Sequence, residues 1–334
     1  MDKMLFNSII PRIRVFEGHL LSKEKLERMI HTTSAEGAMD FLLQEADYSQ
    51  FIDEVNQPED YEQLLTLELE RVYKKIYAMV PIKEVVDLLT LKYDYHNLKV
   101  LVKEKLLAKD FSAQYIKVGS VELAVLLESF QKEDYWKLPP IMCKAITHVL
   151  EDFETTKDPQ RIGLLFDEYM FEQLLALSKT IDDPFVQKFV RAQVDLANLQ
   201  TLLRIQAIGE SVHFLEEELI VGGNILPSRI LSLFDKDLEE LPNELFATDY
   251  APWLAQLVEM NQETRTITYF EKMKADFFMK WLKEVKIVPF GVEPVIGYLH
   301  AKEVELTCLR IIMVGKINHI DRQKITERMR LVYE

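Results

Sequence analysis

Two short patterns recur in the same order three times along this chain, and a repeat of that length leaves few folds open. One pattern is an acid, a small or amide residue three positions on, a leucine, a long polar residue and an aliphatic one. It reads Asp94, Asn97, Leu98, Lys99 and Leu101 in the first copy, and Asp195, Asn198, Leu199, Gln200 and Leu202 in the second. The third copy has Glu305, Cys308, Leu309, Arg310 and Ile312. Four positions beyond the last aliphatic comes another long polar residue: Lys105, Gln206 and Lys316. The other pattern precedes each of these. Tyr61, Glu62, Gln63 and Leu64 match Phe171, Glu172, Gln173 and Leu174, and then Phe270, Glu271, Lys272 and Met273. Successive acids lie 101 and 110 residues apart. Units of that size are small domains, longer than the turns of a solenoid.

Both patterns read as helices. After Tyr61, Leu65, Leu69, Val72, Ile76 and Val80 follow a three-to-four spacing that makes one apolar stripe, which Pro81 ends. Pro184 and Pro294 each stand 11 residues before the acid of the other pattern, suited to the first turn of a helix. Ser22, and Ser228 after Pro227, are further helix-start signals. Only 10 glycines and 12 prolines punctuate the 334 residues, fewer than antiparallel sheets or doubly wound folds require. The expected fold is all-α, with three similar helical domains at about 1–110, 111–215 and 216–334.

Charge narrows the partners. The chain carries a formal −15, and each of the three segments carries −5. Such even acidity excludes a nucleic-acid binder, because phosphate backbones require clustered Lys and Arg. Inside the last segment the balance is uneven: residues 216–264 carry −9 and residues 265–334 carry +4. The basic stretch reads either as a solvated helical face or as a contact surface for an acidic partner. The two cysteines, Cys143 and Cys308, make no metal or redox motif and fit a reducing compartment. No apolar run approaches the roughly 18 residues of a membrane span. The N-terminal apolar run is broken by Pro11, Arg12 and Arg14, so a secretory leader is not expected.

Catalytic equipment is not expected either. Val314, Gly315 and Lys316 hint at a phosphate loop, but Arg310 stands where that motif needs Gly and Ile317 where it needs Ser or Thr. Asp182 and Asp183 begin an acidic magnesium motif that lacks its third acid; a helix start suits them better. The seven histidines are scattered, and Glu210 with His213 forms the one ExxH pair, half of what a di-iron bundle needs. The reading is of a structural or interaction protein with no catalytic, cofactor or metal site and no small-molecule substrate.

The stretch PFGVEPVIGYLHAKE at 289–303, followed by RIIMVGKIN at 310–318, resembles the C-terminal signature of the C subunits of bacterial and archaeal V/A-type rotary ATPases, relatives of the eukaryotic d subunit. YDYHNLK at 93–99 and FVRAQVDLANL at 189–199 are similar to the same family. His300 and Cys308 depart from its pattern, where Leu and Asn are usual. The resemblance covers nearly the whole chain. It implies a funnel of three helical domains about a pseudo-threefold axis, a socket for the central shaft (the D and F subunits) on one side and the membrane rotor ring on the other. It also implies a peripheral position on the cytoplasmic face, with membrane contact only through the ring. The family's polar positions matched here are Asn97, Lys99, Arg191, Asn198, Arg310 and Lys316. Two roles are open for them: lining the socket, or capping and bridging helices within each domain. The competing reading is a helical adaptor unrelated to rotary motors, which co-purification with shaft and ring subunits would separate.

Overall fold

The structure, a computed structural model, describes residues 1–259 and 267–334, and every regular element among them is a helix. The charge boundary at 264–265 lies outside the described residues. In chain order the α-helices are α1 (Ile10–Glu17), α2 (Lys23–His31), α3 (Ala35–Leu43), α4 (Tyr61–Met79), α5 (Glu84–Leu107), α6 (Leu123–Lys132), α7 (Pro140–Thr156) and α8 (Pro159–Ile181). There follow α9 (Pro184–Ile208), α10 (Val212–Glu218), α11 (Pro227–Leu231), α12 (Leu241–Glu244), α13 (Ala251–Val258), α14 (Ile267–Glu284), α15 (Glu293–Ile317) and α16 (Arg322–Arg328).

Contacts divide the chain into two compact units. One comprises Met1 and Glu84–Glu259; the other joins Asp2–Lys83 to Met260–Glu334. In the first, α5 packs on α8, and α8 in turn packs on α7 and α9. In the second, α15 is the central element and packs on α1, α2, α3, α4, α14 and α16.

The local sequence explains these elements. α4 buries Leu65, Val72 and Ile76 of the expected stripe, together with Leu64, Tyr73 and Glu68, while Leu69 is half-buried; the helix stops one residue short of Val80. Pro184 opens α9 and Pro294 sits in the first turn of α15, where a missing N–H costs nothing. Asp183 caps α9 by accepting from the amides of Phe185 and Val186. Its side chain thus has the N-terminal role that its sequence position suggests, favoured by the helix dipole. Ser22 caps α2 in the same way. At α11 the cap position falls on Leu226, with Pro227 as the first helical residue, so Ser228 lies inside the helix.

The three helices carrying the recurrent acid, α5, α9 and α15, span 24, 25 and 25 residues. Each buries residues on nearly every face, which makes it a core helix instead of an amphipathic surface one. Helices of this kind carry few polar residues, and those present have to find partners. These polar residues organise the candidate site.

Candidate functional site

In the first unit, Asp94 and Asp195 are fully buried, and each carboxylate holds a loop against its own helix. Asp94 accepts from the amide of Ser120 at 2.8 Å, its hydroxyl at 2.7 Å and the amide of Val121 at 3.2 Å. Asp195 accepts from the amide of Asn224 at 3.0 Å, its side-chain Nδ2 at 2.9 Å and the amide of Ile225 at 2.9 Å. The buried hydroxyl of Tyr250 adds a fourth bond to Asp195 at 2.6 Å. One turn along each helix, an asparagine pairs with the same loop as a backbone strand would. Asn97 donates to the carbonyl of Ile116 at 2.7 Å and accepts from its amide at 2.9 Å. Asn198 does the same with Ile220, at 2.8 and 2.9 Å.

Glycine permits this close approach. A Cβ built on Gly119 or on Gly223 would collide with Oδ1 of Asp94 or of Asp195 respectively. Gly223→Ala is therefore expected to lower the stability of this unit by about 2–3 kcal/mol, the cost of overpacking a close contact. Gly163, inside α8 with nothing near its added Cβ, is the control. Its change to Ala should gain about 0.5–1 kcal/mol from helix propensity. Denaturant unfolding of the two variants checks both signs.

The charges on the acids are handled differently. Burial pushes the Asp94 carboxyl up to about 6, against the opposing pull of its bonds from Ser120 and Val121. In the second unit, Glu305 occupies the acid position and is matched by a cation. Lys302, one turn before it on α15, is buried and lies 2.7 Å from Glu305, 3.0 Å from Asp47 and 3.2 Å from Glu68. Arg71 bridges Glu68 and Asp47 at 2.7 and 3.1 Å. Burial drives the Lys302 pKa down, but its surrounding carboxylates prevail, with Glu305 first, and raise it overall. Glu305 also accepts from the amide of Leu21 at 2.5 Å and from the hydroxyl of Tyr48 at 2.6 Å.

The bonds made by the three helices match at corresponding offsets. Val121, Ile225 and Leu21 each donate a backbone amide to the recurrent acid, and each precedes a short helix: α6, α11 and α2. Gln206 reaches from α9 to the carbonyls of Phe234 and Lys236, nine and eleven residues beyond Ile225. Lys316 reaches from α15 to the carbonyls of Ile30 and Thr32, nine and eleven residues beyond Leu21. Lys105 pairs with Glu133, which caps the end of α6. The loop and short helix that serve α15 come from the N-terminal part of the chain. Cys308 replaces the asparagine on α15 and is buried, with its thiol pushed up to about 12 by burial.

The six sequence candidates thus fall into distinct settings. Asn97 and Asn198 pair with loops, and Lys316 holds the carboxyl end of α2, where a cation suits the helix dipole. Lys99 bridges α5 to α8 through Asp167 at 2.6 Å. Arg310 bridges α15 to α4 by a bidentate bond to Glu62, at 2.6 and 3.0 Å. Arg191 differs from the rest: it is exposed on α9 and, among the described residues, has no ion pair. The repeat pattern does not single out Lys302, Asp47 or Glu68. The available signal was the spacing of Lys302 and Glu305, which puts opposite charges one turn apart in an apolar helix.

Val314 to Lys316, the phosphate-loop echo, lies inside α15, where Gly315 makes room for Ile325. His213 sits on the surface beside Glu216 and Glu217. Among the described residues, no group of three or more His, Cys, Asp or Glu side chains could hold a metal ion. None of the described helices is long and apolar enough to cross a membrane.

Comparison with known proteins decides the family. The family described as ATP synthase (C/AC39) subunit matches residues 9–328. The chain belongs to that family. Among its relatives is the C subunit of the V-type sodium ATPase of Enterococcus hirae, 28% identical over 331 residues, covering 99% of this chain and 100% of the relative. The C subunit of the A-type ATP synthase of Methanocaldococcus jannaschii is 28% identical over 336 residues, covering 94% of this chain and 83% of that protein. The corresponding A-type protein of Methanosphaera stadtmanae is 24% identical over 91% of this chain and 82% of its own length. The all-helical chain is thus a C-type subunit of a V/A-type rotary ATPase. Its buried acids and amides belong to the framework of that subunit.

Proposed function

We propose that this subunit is non-catalytic and joins the central shaft, made of the D and F subunits, to the membrane rotor ring, carrying torque between ATP hydrolysis or synthesis and ion transport. In this reading three similar helical domains, at about 1–110, 111–215 and 216–334, surround a pseudo-threefold axis, and the residues facing it form the shaft socket. The protein is peripheral, on the cytoplasmic side. The observation that carries the reading is the recurrent pinning of loops to α5, α9 and α15 by buried acids, within a family of rotary-ATPase subunits. A joint under torque has to transmit force without yielding. Buried, fully bonded polar groups fix their elements in one arrangement.

Among the polar candidates, Arg191 is the residue we assign to the shaft contact, because its charge has no other use among the described residues. Arg191→Glu should weaken binding to the isolated shaft by about ten-fold, more at low salt, because an exposed interfacial charge acts over the Debye length. Its melting temperature should stay put. Arg310→Glu and Lys316→Glu should do the reverse, lowering the melting temperature while the shaft affinity of the folded fraction holds. Measuring both quantities on all three variants tests the assignment. Unchanged shaft affinity in Arg191→Glu removes that residue from the socket. Shaft and ring subunits absent from a native pull-down would instead favour an unrelated helical adaptor.

A further inference from the structure

Ile287 is the most exposed large apolar side chain among the described residues, at 87%. It ends the short 3-10 turn Val285–Ile287, which follows directly on α14. Phe290, three residues on, is also exposed, ahead of Gly291 in a left-handed conformation (φ +94°). Two N-terminal segments meet this turn. Lys3 reaches Glu293 at 2.5 Å and its stem lies against Gly291, while the next two residues, Met4 and Leu5, are exposed. Arg14, on α1, donates to the carbonyl of Val288 at 2.9 Å.

The charge nearby has the opposite sign to the chain. α14 displays Lys280 on its surface, with Lys274 and Lys283 half-buried, and none of the three has an ion-pair partner among the described residues. Arg12, exposed on α1, is likewise unpaired among them. Of the acids nearby, Glu17 and Glu293 are matched by Arg14 and Lys3, Asp276 acts electrostatically on Lys280 from inside α14, and Glu284 is exposed, so the lysines and Arg12 still outnumber the exposed acid. This accounts for part of the +4 balance of residues 265–334 in a chain of −15.

Single apolar side chains on tight turns, beside unpaired lysines, do not make a groove for a protein segment. They fit a flat anionic surface that admits apolar tips without shape complementarity and attracts the ammonium groups. We infer that the region around Ile287 and Phe290, with Lys280 and Lys283 of α14, is a direct docking surface for anionic lipid headgroups. The inference deepens the membrane-side placement proposed above and adds lipid contact to the expectation of contact through the ring alone.

Co-sedimentation of the purified protein with vesicles tests it, using phosphatidylcholine alone or with about a third phosphatidylglycerol. Binding to the anionic vesicles should exceed binding to the neutral ones by at least about ten-fold and fall with salt. Lys280→Gln and Lys283→Gln should each reduce it about five-fold, as expected for one lysine near an anionic surface. Ile287→Asp combined with Phe290→Asp should abolish it, while circular dichroism shows the helices intact. Equal binding to both vesicle types, or binding unchanged in these variants, overturns the inference. So does no vesicle binding at all. If the protein then still co-purifies with the ring, the face belongs to a protein contact and the coupling reading stands.

Discussion

Replacing Lys302 with methionine should lower the stability of the unit formed by residues 2–83 and 260–334 by about 3–5 kcal/mol, the usual cost of breaking a buried ion pair. At roughly 2–4 °C per kcal/mol for a unit of this size, melting falls by on the order of 10 °C. The size of the effect comes from what is left behind. Lys302 is buried among three carboxylates, and Arg71 compensates only Glu68 and Asp47. Glu305 would keep its bonds from Leu21 and Tyr48 but lose its nearest cation. Asp47 would change as well. Burial raises its pKa, yet Lys302, with Arg71 and His19, holds it below the usual carboxylate range. Its stabilisation, present above its unfolded value and lost as pH falls through the folded one, should shrink in the variant. Adding Glu305→Gln to Lys302→Met should recover part of the loss, because it removes a buried charge that no longer has a partner. Calorimetry on the single and double variants checks both statements. A melting temperature within about 2 °C of the parent for Lys302→Met would show that the cluster contributes little.

Much of this architecture was legible in the sequence, for identifiable reasons. The recurrence of Asp94, Asp195 and Glu305 at equivalent helix positions is legible in the sequence, whereas their burial and the bonds that satisfy them show only in the fold. Prolines at 184 and 294 and the cap at Ser22 fixed helix starts to within a residue or two. The partners of the acids were harder to see. Gly119 with Ser120, and Gly223 with Asn224, follow their acids by 25 to 29 residues, but a pairing of loop to helix has no periodicity to reveal it. For Glu305 the loop partner, Leu21, lies 284 residues away, and Asp47 is 255 residues from Lys302. Nor does composition distinguish a lysine that braces two helices, as Lys99 does with Asp167, from one that awaits a partner. Exposure together with the lack of an ion pair among the described residues separates Arg191 from the other five candidates, since Arg310 is exposed but paired with Glu62, and both properties belong to the folded chain.

A subunit placed at the joint between shaft and ring is tested most directly by removing it. Membranes lacking it should retain ATP hydrolysis in the headpiece, because the proposed role places the chemistry on other subunits. They should build no ion gradient if this subunit carries the torque to the ring as proposed. The effect is all-or-none, larger than that of any point substitution. Adding back the purified chain should restore transport, and Arg191→Glu should restore it less well at equal concentration. The measurement is ATP hydrolysis and ion accumulation in the same vesicles, with and without this protein. Hydrolysis that continues while accumulation stops, and coupling that returns on re-addition, is the predicted result. Ion accumulation at the normal ratio to ATP in its absence would contradict it.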